Sequence, residues 1–442
     1  MVIHLIAIGG SIMHNLAMEL QALGHRVTGS DDEIYEPALS RLRSVSLLPP
    51  KMGWDDSRIS SDIDLIILGM HAQLDNPELI KAQELGLRIE SFPEFIAKHI
   101  ASKKKIVVTG SHGKTTTTAM IMYALKKLGI SFDYLVGGLI DGFDRMVRLS
   151  EDAEIAVVEG DEYLSSRLDD RPKMLHYQGD IVITTGVSWD HMNVFPTYDN
   201  YLSQFDSLYN SMRDDSVIIY DQRDIELKRL IEKAPIANKL AYDPLEVSGD
   251  RIQYDGQEYY INVFGAHNRA NLHAALMACQ YINVEPAEFL NAVSDFTGVD
   301  KRLSLVSNDP IIYRDFAHAP SKVKATVLAV RERYSNSNIL AVLELHTYSS
   351  LNKEFLPLYN AALDGADRAL VFYDPEVVAR KRLPPISVDF IADCFRHPNF
   401  TAIVSADNLK STLYDATGQH EIYLLMSSGN FGNIKPDEVI KN

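Results

Sequence analysis

The feature that most constrains this chain is a strand, a glycine turn and a helix start within residues 106–118. Ile106–Val108 is an apolar run typical of a buried parallel strand, and Gly110 and Gly113 make a tight turn after it. Beyond Gly113, apolar residues recur at helical spacing. A helix N-terminus reached in this way points main-chain N–H groups outward, and its dipole favours an anion. The segment therefore predicts an α/β fold built around a phosphate-binding loop.

The side chains of this loop fit a nucleotide. Lys114 would neutralise the β- and γ-phosphates, and the Thr115 hydroxyl would hold Mg²⁺. The pattern is shorter than Walker A, because Val108 stands where that pattern has its first glycine. Gly-Lys-Thr also occurs in ordinary loops, but its place between a strand and a helix favours nucleotide binding. The residues predicted to contact ATP here are Gly110, Ser111, His112, Gly113, Lys114, Thr115 and Thr116.

Length and charge limit the other possibilities. A chain of 442 residues is expected to form two or three domains. A net charge of −17 argues against a nucleic-acid partner, because phosphate contacts need basic patches. The N-terminus lacks the basic region of a signal peptide, and no apolar run is long enough for a membrane span. Cys279 and Cys394 are expected to be buried free thiols in a reducing cytoplasm.

The N-terminal part predicts a nucleotide-binding βαβ unit. Residues 3–8 are an apolar strand followed by two glycines and a helix, and the next strand ends at Asp31. The dinucleotide fingerprint is broken, because Ala7 stands at its first glycine and Ile12 at its last, which disfavours a nicotinamide site. Residues 1–102 are therefore predicted to be one small Rossmann-like α/β domain.

The second predicted domain, residues 103–298, carries the phosphate loop. It begins with Lys103–Lys105, which we interpret as a solvated linker. One predicted strand ends at Glu159, and another leads to Asp190-His191. Carboxyl ends of parallel strands face the ligand crevice, so Glu159 and His191 could hold a second metal ion beside the phosphates. A strand-end Asp-His pair is also common as a purely structural feature.

The end of this domain adds a hairpin and an amide pair. The stretch 249–263 predicts a hairpin that turns at Asp255-Gly256. Asn268 and Asn271 then lie three residues apart on one helical face, where their amides suit the edges of adenine. Helix capping is the alternative interpretation of both residues.

Residues 299–442 predict a third, doubly wound α/β domain of Rossmann-like type. The predicted strands are 311–313, 339–343, 369–372, 402–404 and 421–425. The predicted helices are 321–333, 353–363, 387–395 and 407–413.

Several of these motifs occur in one order along nearly the whole chain. They are Thr109-Gly-Ser-His-Gly-Lys-Thr-Thr116, Glu159, Asp190-His191, Gly265-x-His267-Asn268-x-x-Asn271, Arg302 and Asp315-x-x-His318. In this order they resemble the Mur ligase family. The resemblance implies a three-domain α/β architecture, with a Rossmann-like N-terminal domain, a central P-loop ATPase domain and a Rossmann-like C-terminal domain.

The resemblance also implies an ATP-dependent ligase in which UDP-N-acetylmuramate is activated as an acyl phosphate and then attacked by an amine. It implies Mg²⁺ as cofactor and a cytoplasmic monomer or weak homodimer. The implied catalytic residues are Lys114, Glu159 and His191, and the implied metal ligands are Thr115, Glu159 and His191. Further implied ATP contacts are His267, Asn268, Asn271, Arg302 and Asp315. Implied substrate contacts are Gly9, Gly10, Ser11, Met13, Asp31 and His318. His71 and His346, which follow predicted strands, are also predicted to contact the substrate.

The amine substrate separates two kinds of family member. One adds L-alanine, and the other adds the peptide L-alanyl-γ-D-glutamyl-meso-diaminopimelate. The long stretch from Gly160 to Tyr177 is similar to the peptide-adding kind, whereas His346–Ser350 follows neither pattern. The residue after His318 is alanine in place of the family's second histidine, and no lysine is present to be carbamylated between His191 and Arg213. A regulator that binds nucleotide and UDP-sugar without ligating them is an alternative of another class.

Overall fold

The strands form three α/β sheets and one small antiparallel ribbon in the computed structural model, which describes residues 1–190, 192, 194–249, 251–299 and 302–441. The α/β class predicted from the sequence is confirmed. Among the described residues, no helix combines the length and apolarity that crossing a membrane requires. Both cysteines are buried and free.

The first sheet has four parallel strands in the order β2-β1-β3-β4. Its strands are β1 (Val2–Ile6), β2 (Arg26–Ser30), β3 (Leu65–Leu68) and β4 (Ile89–Ser91), and its helices are α1 (Ser11–Ala22), α2 (Ala38–Ser44), α3 (Pro77–Glu84) and α4 (Phe92–His99). The central strands β1 and β3 are short apolar runs, which suits strands covered on both faces. The turn after β1 and the end of β2 therefore lie side by side at one edge of this sheet.

The middle sheet has seven strands in the order β11-β10-β9-β5-β8-β6-β7, all parallel except β7. Its strands are β5 (Lys104–Thr109), β6 (Phe132–Leu135), β7 (Val147–Arg148), β8 (Ile155–Glu159), β9 (Ile181–Thr184), β10 (Val217–Asp221) and β11 (Asn238–Tyr242). The antiparallel ribbon is β12 (Val247–Ser248), β13 (Arg251–Tyr254) and β14 (Gln257–Tyr260), and β13 and β14 form the predicted hairpin. The helices are α5 (Lys114–Lys127), α6 (Tyr198–Ser211), α7 (Ile225–Lys233), α8 (Ala266–Gln280) and α9 (Pro286–Ala292).

The interpretation of Lys103–Lys105 as a solvated linker is wrong. Lys103 and Lys105 are only 7% and 4% exposed. Lys103 Nζ lies 2.7 Å from a carboxylate oxygen of Asp133, and Lys105 Nζ lies 3.2 Å from one of Asp180. The run leads directly into β5, and buried lysines persist there because each has a carboxylate partner.

The edge of the middle sheet rests against α1 of the first sheet. The N–H groups of Met146 and Leu149, on either side of β7, donate to Asn15 Oδ1 at 3.1 Å and to Glu19 Oε1 at 3.0 Å. Both acceptors lie on α1 and are buried. Side chains of α1 therefore satisfy main-chain donors at the edge of the middle sheet.

The third sheet has six strands in the order β15-β16-β20-β17-β18-β19, with only β15 antiparallel among them. Its strands are β15 (Ser304–Asn308), β16 (Ile311–Asp315), β17 (Ile339–Glu344), β18 (Arg368–Phe372), β19 (Phe400–Ile403) and β20 (Ile422–Met426). Its helices are α10 (Pro320–Arg333), α11 (Pro375–Arg380), α12 (Val388–Phe395), α13 (Ala406–Ala416) and α14 (Pro436–Lys441).

One predicted helix of the third sheet is wrong. The stretch 353–363 contains a short 3₁₀ turn, Leu356–Tyr359, in place of an α-helix. Pro357 lies inside that turn, and its missing N–H and its ring oppose a continuous α-helix. The apolar side chains that suggested helical spacing, such as Phe355 and Tyr359, are nevertheless buried.

The three sheets correspond to three stretches of sequence. The last helix of the first sheet ends at His99, and β5 begins at Lys104. Helix α9 ends at Ala292, and β15 begins at Ser304. We propose domain boundaries near residues 102 and 298 on this basis.

Candidate active site

The phosphate loop lies between β5 and α5. Gly110 and Gly113 have left-handed backbone conformations, with φ of 112° and 82°. A Cβ at Gly110 would come within 2.7 Å of the main-chain nitrogen of Thr185, so the two segments pass too closely for a side chain. The Ser111 N–H donates to Gly186 O at 2.9 Å. The loop is thus held against the segment that follows β9, and glycine is required at that close approach.

Lys114 is the first residue of α5 and is paired with acidic groups. Its Nζ donates to Glu162 Oε2 at 2.7 Å and to Gly110 O at 2.6 Å. Asp161 Oδ1 lies 3.9 Å away. Burial alone would lower the pKa of Lys114, but the nearby carboxylates, above all Glu162, outweigh burial and raise that pKa. Lys114 therefore carries a full positive charge inside the site.

Glu159 ends β8 directly beside the loop. Its Oε1 accepts a hydrogen bond from the Thr115 hydroxyl at 3.1 Å, and its Oε2 accepts one from the Gly137 N–H at 2.7 Å. Burial raises the pKa of Glu159, and the charge of Lys114 opposes that shift. A cation placed at this carboxylate would favour its ionised form.

These oxygens fit a magnesium ion. In nucleotide sites Mg²⁺ is usually held by one or two carboxylates together with phosphate oxygens, and Thr115 and Glu159 supply such donors. Within the described residues, no group of three or more His, Cys, Asp or Glu side chains has the arrangement of a metal site. His191, the third predicted ligand, lies outside the described residues. Magnesium binding here stays a prediction.

A cavity of about 490 Å³ opens beside the phosphate loop and is bounded by residues of the middle and third sheets. The predicted ATP contacts that line it are His112, Gly113, Thr116, His267, Asn268, Asn271, Arg302 and Asp315. They come from positions spread over some two hundred residues of sequence. Their convergence on one cavity is what a bound nucleotide needs.

The start of α8 forms one wall of this cavity. Asn268 Nδ2 donates to Phe264 O at 3.0 Å, which ties the first turn of α8 to the segment just before that helix. A Cβ at Gly113 would collide with the amide oxygen of Asn271, so that amide lies directly over the loop. Burial, followed by the charges of Arg223 and Arg269, lowers the pKa of His267 to about 4. His267 is therefore a neutral wall of the cavity at physiological pH.

The third sheet supplies the opposite wall through Arg302 and Asp315. The Arg302 guanidinium lies 4.7 Å from the centre of the Phe316 ring. Burial raises the pKa of Asp315 to about 6, although Arg302 opposes the rise. Next to them, burial lowers the pKa of His318 to about 4. His318 Nδ1 lies 2.8 Å from Phe316 O, so Nδ1 carries the proton and Nε2 is left as an acceptor.

Two residues to which the sequence analysis gave no role complete this site. Glu162, the partner of Lys114, belongs to the acidic run after β8, which was a usable signal. Lys322, on the first turn of α10, lines the cavity, and its Nζ lies 3.3 Å from Asp190 Oδ2. Burial lowers the pKa of Lys322, and Asp190 opposes that shift. No local sequence pattern predicts Lys322 as a site residue, because its partner Asp190 is 132 positions away.

A second cavity, of about 470 Å³, lies in the first sheet at the turn after β1. The predicted substrate contacts that line it are Gly9, Gly10, Ser11, Asp31 and His71, and the sequence missed His14, Tyr35 and Glu36. Asp31 Oδ2 accepts the Gly9 N–H at 2.7 Å. Burial, helped by Asp32, raises the pKa of Asp31 to about 7.

Three predicted substrate residues, Met13, His318 and His346, are not among the described residues that line the two cavities. Met13 is 4% exposed and packs in the core behind the first-sheet cavity. His346 follows β17, is partly exposed, and has its Nδ1 3.7 Å from Glu344 Oε1. The residues that line the two cavities, within the described part of the chain, do not include His346.

A phosphate loop in a middle sheet, with a third sheet closing over it, defines a multidomain P-loop nucleotide-binding protein. The family described as Mur ligase family, catalytic domain, matches residues 2–104. The Mur ligase middle domain matches residues 108–279.

Proteins of known function are similar to this chain over most of its length. The UDP-N-acetylmuramate–L-alanyl-γ-D-glutamyl-meso-2,6-diaminoheptandioate ligase of Escherichia coli K12 is 28% identical over 98% of this chain and 96% of its own length. The UDP-N-acetylmuramate–L-alanine ligase of Sulfurihydrogenibium sp. YO3AOP1 is 30% identical over 80% of this chain and 78% of its own length. The crystal structure of a murein peptide ligase from Psychrobacter arcticus 273-4 superposes with a TM-score of 0.70 at 23% identity, covering 100% of this chain and 99% of that one. At this identity the similarity shows that the two chains share a fold.

The chain belongs to the Mur ligase family. Its three α/β sheets follow the architecture of that family. It is accordingly an ATP-dependent carbon–nitrogen ligase.

Proposed function

We propose that this protein joins UDP-N-acetylmuramate to L-alanyl-γ-D-glutamyl-meso-diaminopimelate in peptidoglycan recycling. The observation that carries the proposal is the charged phosphate loop, whose residues His112, Gly113 and Thr116 line the 490 Å³ cavity. In the same loop Lys114 is paired with Glu162, and Thr115 is bonded to Glu159. The Escherichia coli relative, whose name states this reaction, supports the choice of acceptor.

In the proposed reaction the carboxylate of UDP-N-acetylmuramate attacks the γ-phosphorus of ATP. The bond from that phosphorus to the bridging oxygen breaks, and ADP leaves. The amine nitrogen of the peptide then attacks the acyl carbon, loses one proton, and displaces inorganic phosphate. Both reactants of the first step are anions, so charge stabilisation is the main task of the protein.

The described residues fit this task. Lys114 would bind the moving phosphoryl group, and the main-chain N–H groups of the loop would share its charge. Thr115 would hold one Mg²⁺, and Glu159 and His191 would hold a second. Both ions would supply further positive charge to the phosphates. Asn268 and Asn271 would contact adenine, while Arg302 and Asp315 would reach the nucleotide from the third sheet.

The first-sheet cavity is proposed to hold the UDP part of the substrate. Helix α1 begins there at Ser11, with Gly10 as its N-cap, and the dipole of a helix N-terminus favours a diphosphate. Asp31, bonded to the Gly9 N–H, would accept hydrogen bonds from a sugar hydroxyl. His318 and His346 would lie towards the muramyl group and the peptide.

A second candidate is the L-alanine ligase, because the Sulfurihydrogenibium relative carries that name at 30% identity. The long segment after Glu159 favours the peptide. It is ordered by Lys173, whose Nζ lies 2.7 Å from Asp161 Oδ2 and 5.6 Å from the centre of the Phe92 ring on α4. This segment therefore spans from the phosphate site to the first sheet.

Phosphate release tests the proposal directly. The protein with ATP, Mg²⁺ and UDP-N-acetylmuramate is expected to release phosphate steadily when the peptide is added, and to do so far more slowly with L-alanine. Steady release with L-alanine alone would establish the second candidate. Nucleotide binding with no release in either mixture would leave a non-catalytic binder.

A further inference from the structure

Lys322 is a buried cation that the third sheet contributes to the nucleotide cavity. It lies on the first turn of α10, and its side chain is only 16% exposed. Its Nζ is 3.3 Å from Asp190 Oδ2, across the boundary between the middle and third sheets. A lysine on a helix surface usually extends its ammonium group into water. Burying that group costs desolvation energy, so a buried lysine requires a negatively charged partner close to its Nζ.

The position of Lys322 is at the phosphate end of the cavity. Its neighbour Ser321 bonds through its hydroxyl to Nε2 of His112, which is part of the phosphate loop. Lys322 is therefore held beside the loop.

The charges around the cavity are balanced in pairs. Lys114 is bonded to Glu162, and Lys322 is paired with Asp190. Lys322 lines the cavity beside the loop, and Lys114 is part of the loop itself. A triphosphate bound at the loop would bring several negative charges close to both cations. A phosphate oxygen can replace a carboxylate oxygen as the acceptor of an ammonium group without leaving the cation unpaired.

We propose that Lys322 binds the terminal phosphate of ATP and exchanges its bond with Asp190 for a bond with a γ-phosphate oxygen. This assignment rests on the proposed use of the cavity for ATP. Because Lys322 belongs to the third sheet, the γ-phosphate would tie that sheet to the middle one. ADP lacks this phosphate and would leave Lys322 with Asp190.

Isothermal titration of the full-length protein separates this role from a structural one. The probes are a non-hydrolysable ATP analogue and ADP, each with Mg²⁺ and without any acceptor. Lys322→Ala is expected to weaken binding of the triphosphate analogue by about tenfold or more, the range of one charge-assisted hydrogen bond, and to change ADP binding by less than about twofold. Lys322→Arg should retain most of the affinity, because it keeps the charge.

Lys324→Ala is the matched control, since Lys324 lies on the same helix but is exposed. It removes the same charge and should change neither affinity. Equal weakening of both nucleotides by Lys322→Ala would show a general role in holding the two sheets together and overturn the proposal. Unchanged binding of the triphosphate analogue would also overturn it. Failure of the ligation assay with intact triphosphate discrimination would instead count against the proposed acceptor alone.

Discussion

Removal of the Lys114 ammonium should separate catalysis from stability in this site. Lys114 and Glu162 have side chains only 12% and 1% exposed, with 2.7 Å between Nζ and Oε2. Lys114→Ala leaves the Glu162 carboxylate buried with the Tyr201 hydroxyl, which lies 3.2 Å from its other oxygen. Breaking a buried pair costs about 3–5 kcal/mol, and the hydrogen bond from Tyr201 to Glu162 favours the lower end of that range. For a unit the size of the middle domain this corresponds to a fall in melting temperature of roughly 6–12 °C.

Turnover should fall much further than stability explains. The lost charge stabilises the phosphoryl group as it moves, and loss of one such group typically lowers the rate by about 10²–10³ or more. The double variant Lys114→Ala with Glu162→Gln removes the Glu162 charge as well. It should recover most of the melting temperature and none of the turnover. Calorimetry and phosphate release on the same preparations measure the two effects.

Two results would refute this reasoning. Near-normal phosphate release by Lys114→Ala would mean that the loop does not bind the transferred phosphoryl group. A double variant that melts no higher than Lys114→Ala would mean that the Glu162 charge is not what destabilises the single variant. Circular dichroism at the assay temperature provides the control that the variant is folded.

Three further predictions concern other parts of the two cavities. Gly113→Ala should raise the KM for ATP, because the added Cβ would collide with the Asn271 amide. Gly129→Ala is the control, because Gly129 also has a positive φ but faces open space. It should cost only about 1 kcal/mol of stability and leave KM unchanged. Glu159→Gln should raise the Mg²⁺ concentration needed for half-maximal turnover, and an unchanged titration would remove Glu159 as a metal ligand. The pKa of Asp31 is about 7 against an ordinary 3.8, so folding takes up a proton there, and its contribution to the free energy of unfolding should fall as pH rises between those values. Asp31→Asn should remove that part of the pH dependence in denaturation curves, and an identical slope would contradict the assignment.

The parts of the site that sequence alone predicts are those carried by contiguous residues. The loop from Gly110 to Thr115 is a local pattern, so its strand, turn and helix follow from spacing and from the needs of glycine. Glu159 could be predicted as a site residue because it ends an apolar run, and the carboxyl ends of parallel strands meet at one edge of a sheet.

The parts that escaped depend on distant partners or on a single interrupting residue. Lys322 is identified as a site residue only when Asp190 is next to it. Lys103 and Lys105 look solvated until Asp133 and Asp180 are placed beside them. In the stretch 353–363, apolar spacing predicted a helix that Pro357 prevents.

The contact between α1 and β7 has a consequence for dissecting this protein. An edge strand presents unpaired donors and acceptors that can recruit a strand from another molecule. Here Asn15 and Glu19 of the first sheet occupy the amides of Met146 and Leu149 at that edge. A fragment expressed without residues 1–102 would expose these amides, so we expect it to self-associate. The N-terminal part therefore protects the sheet edge from aggregation, in addition to its proposed role in binding substrate.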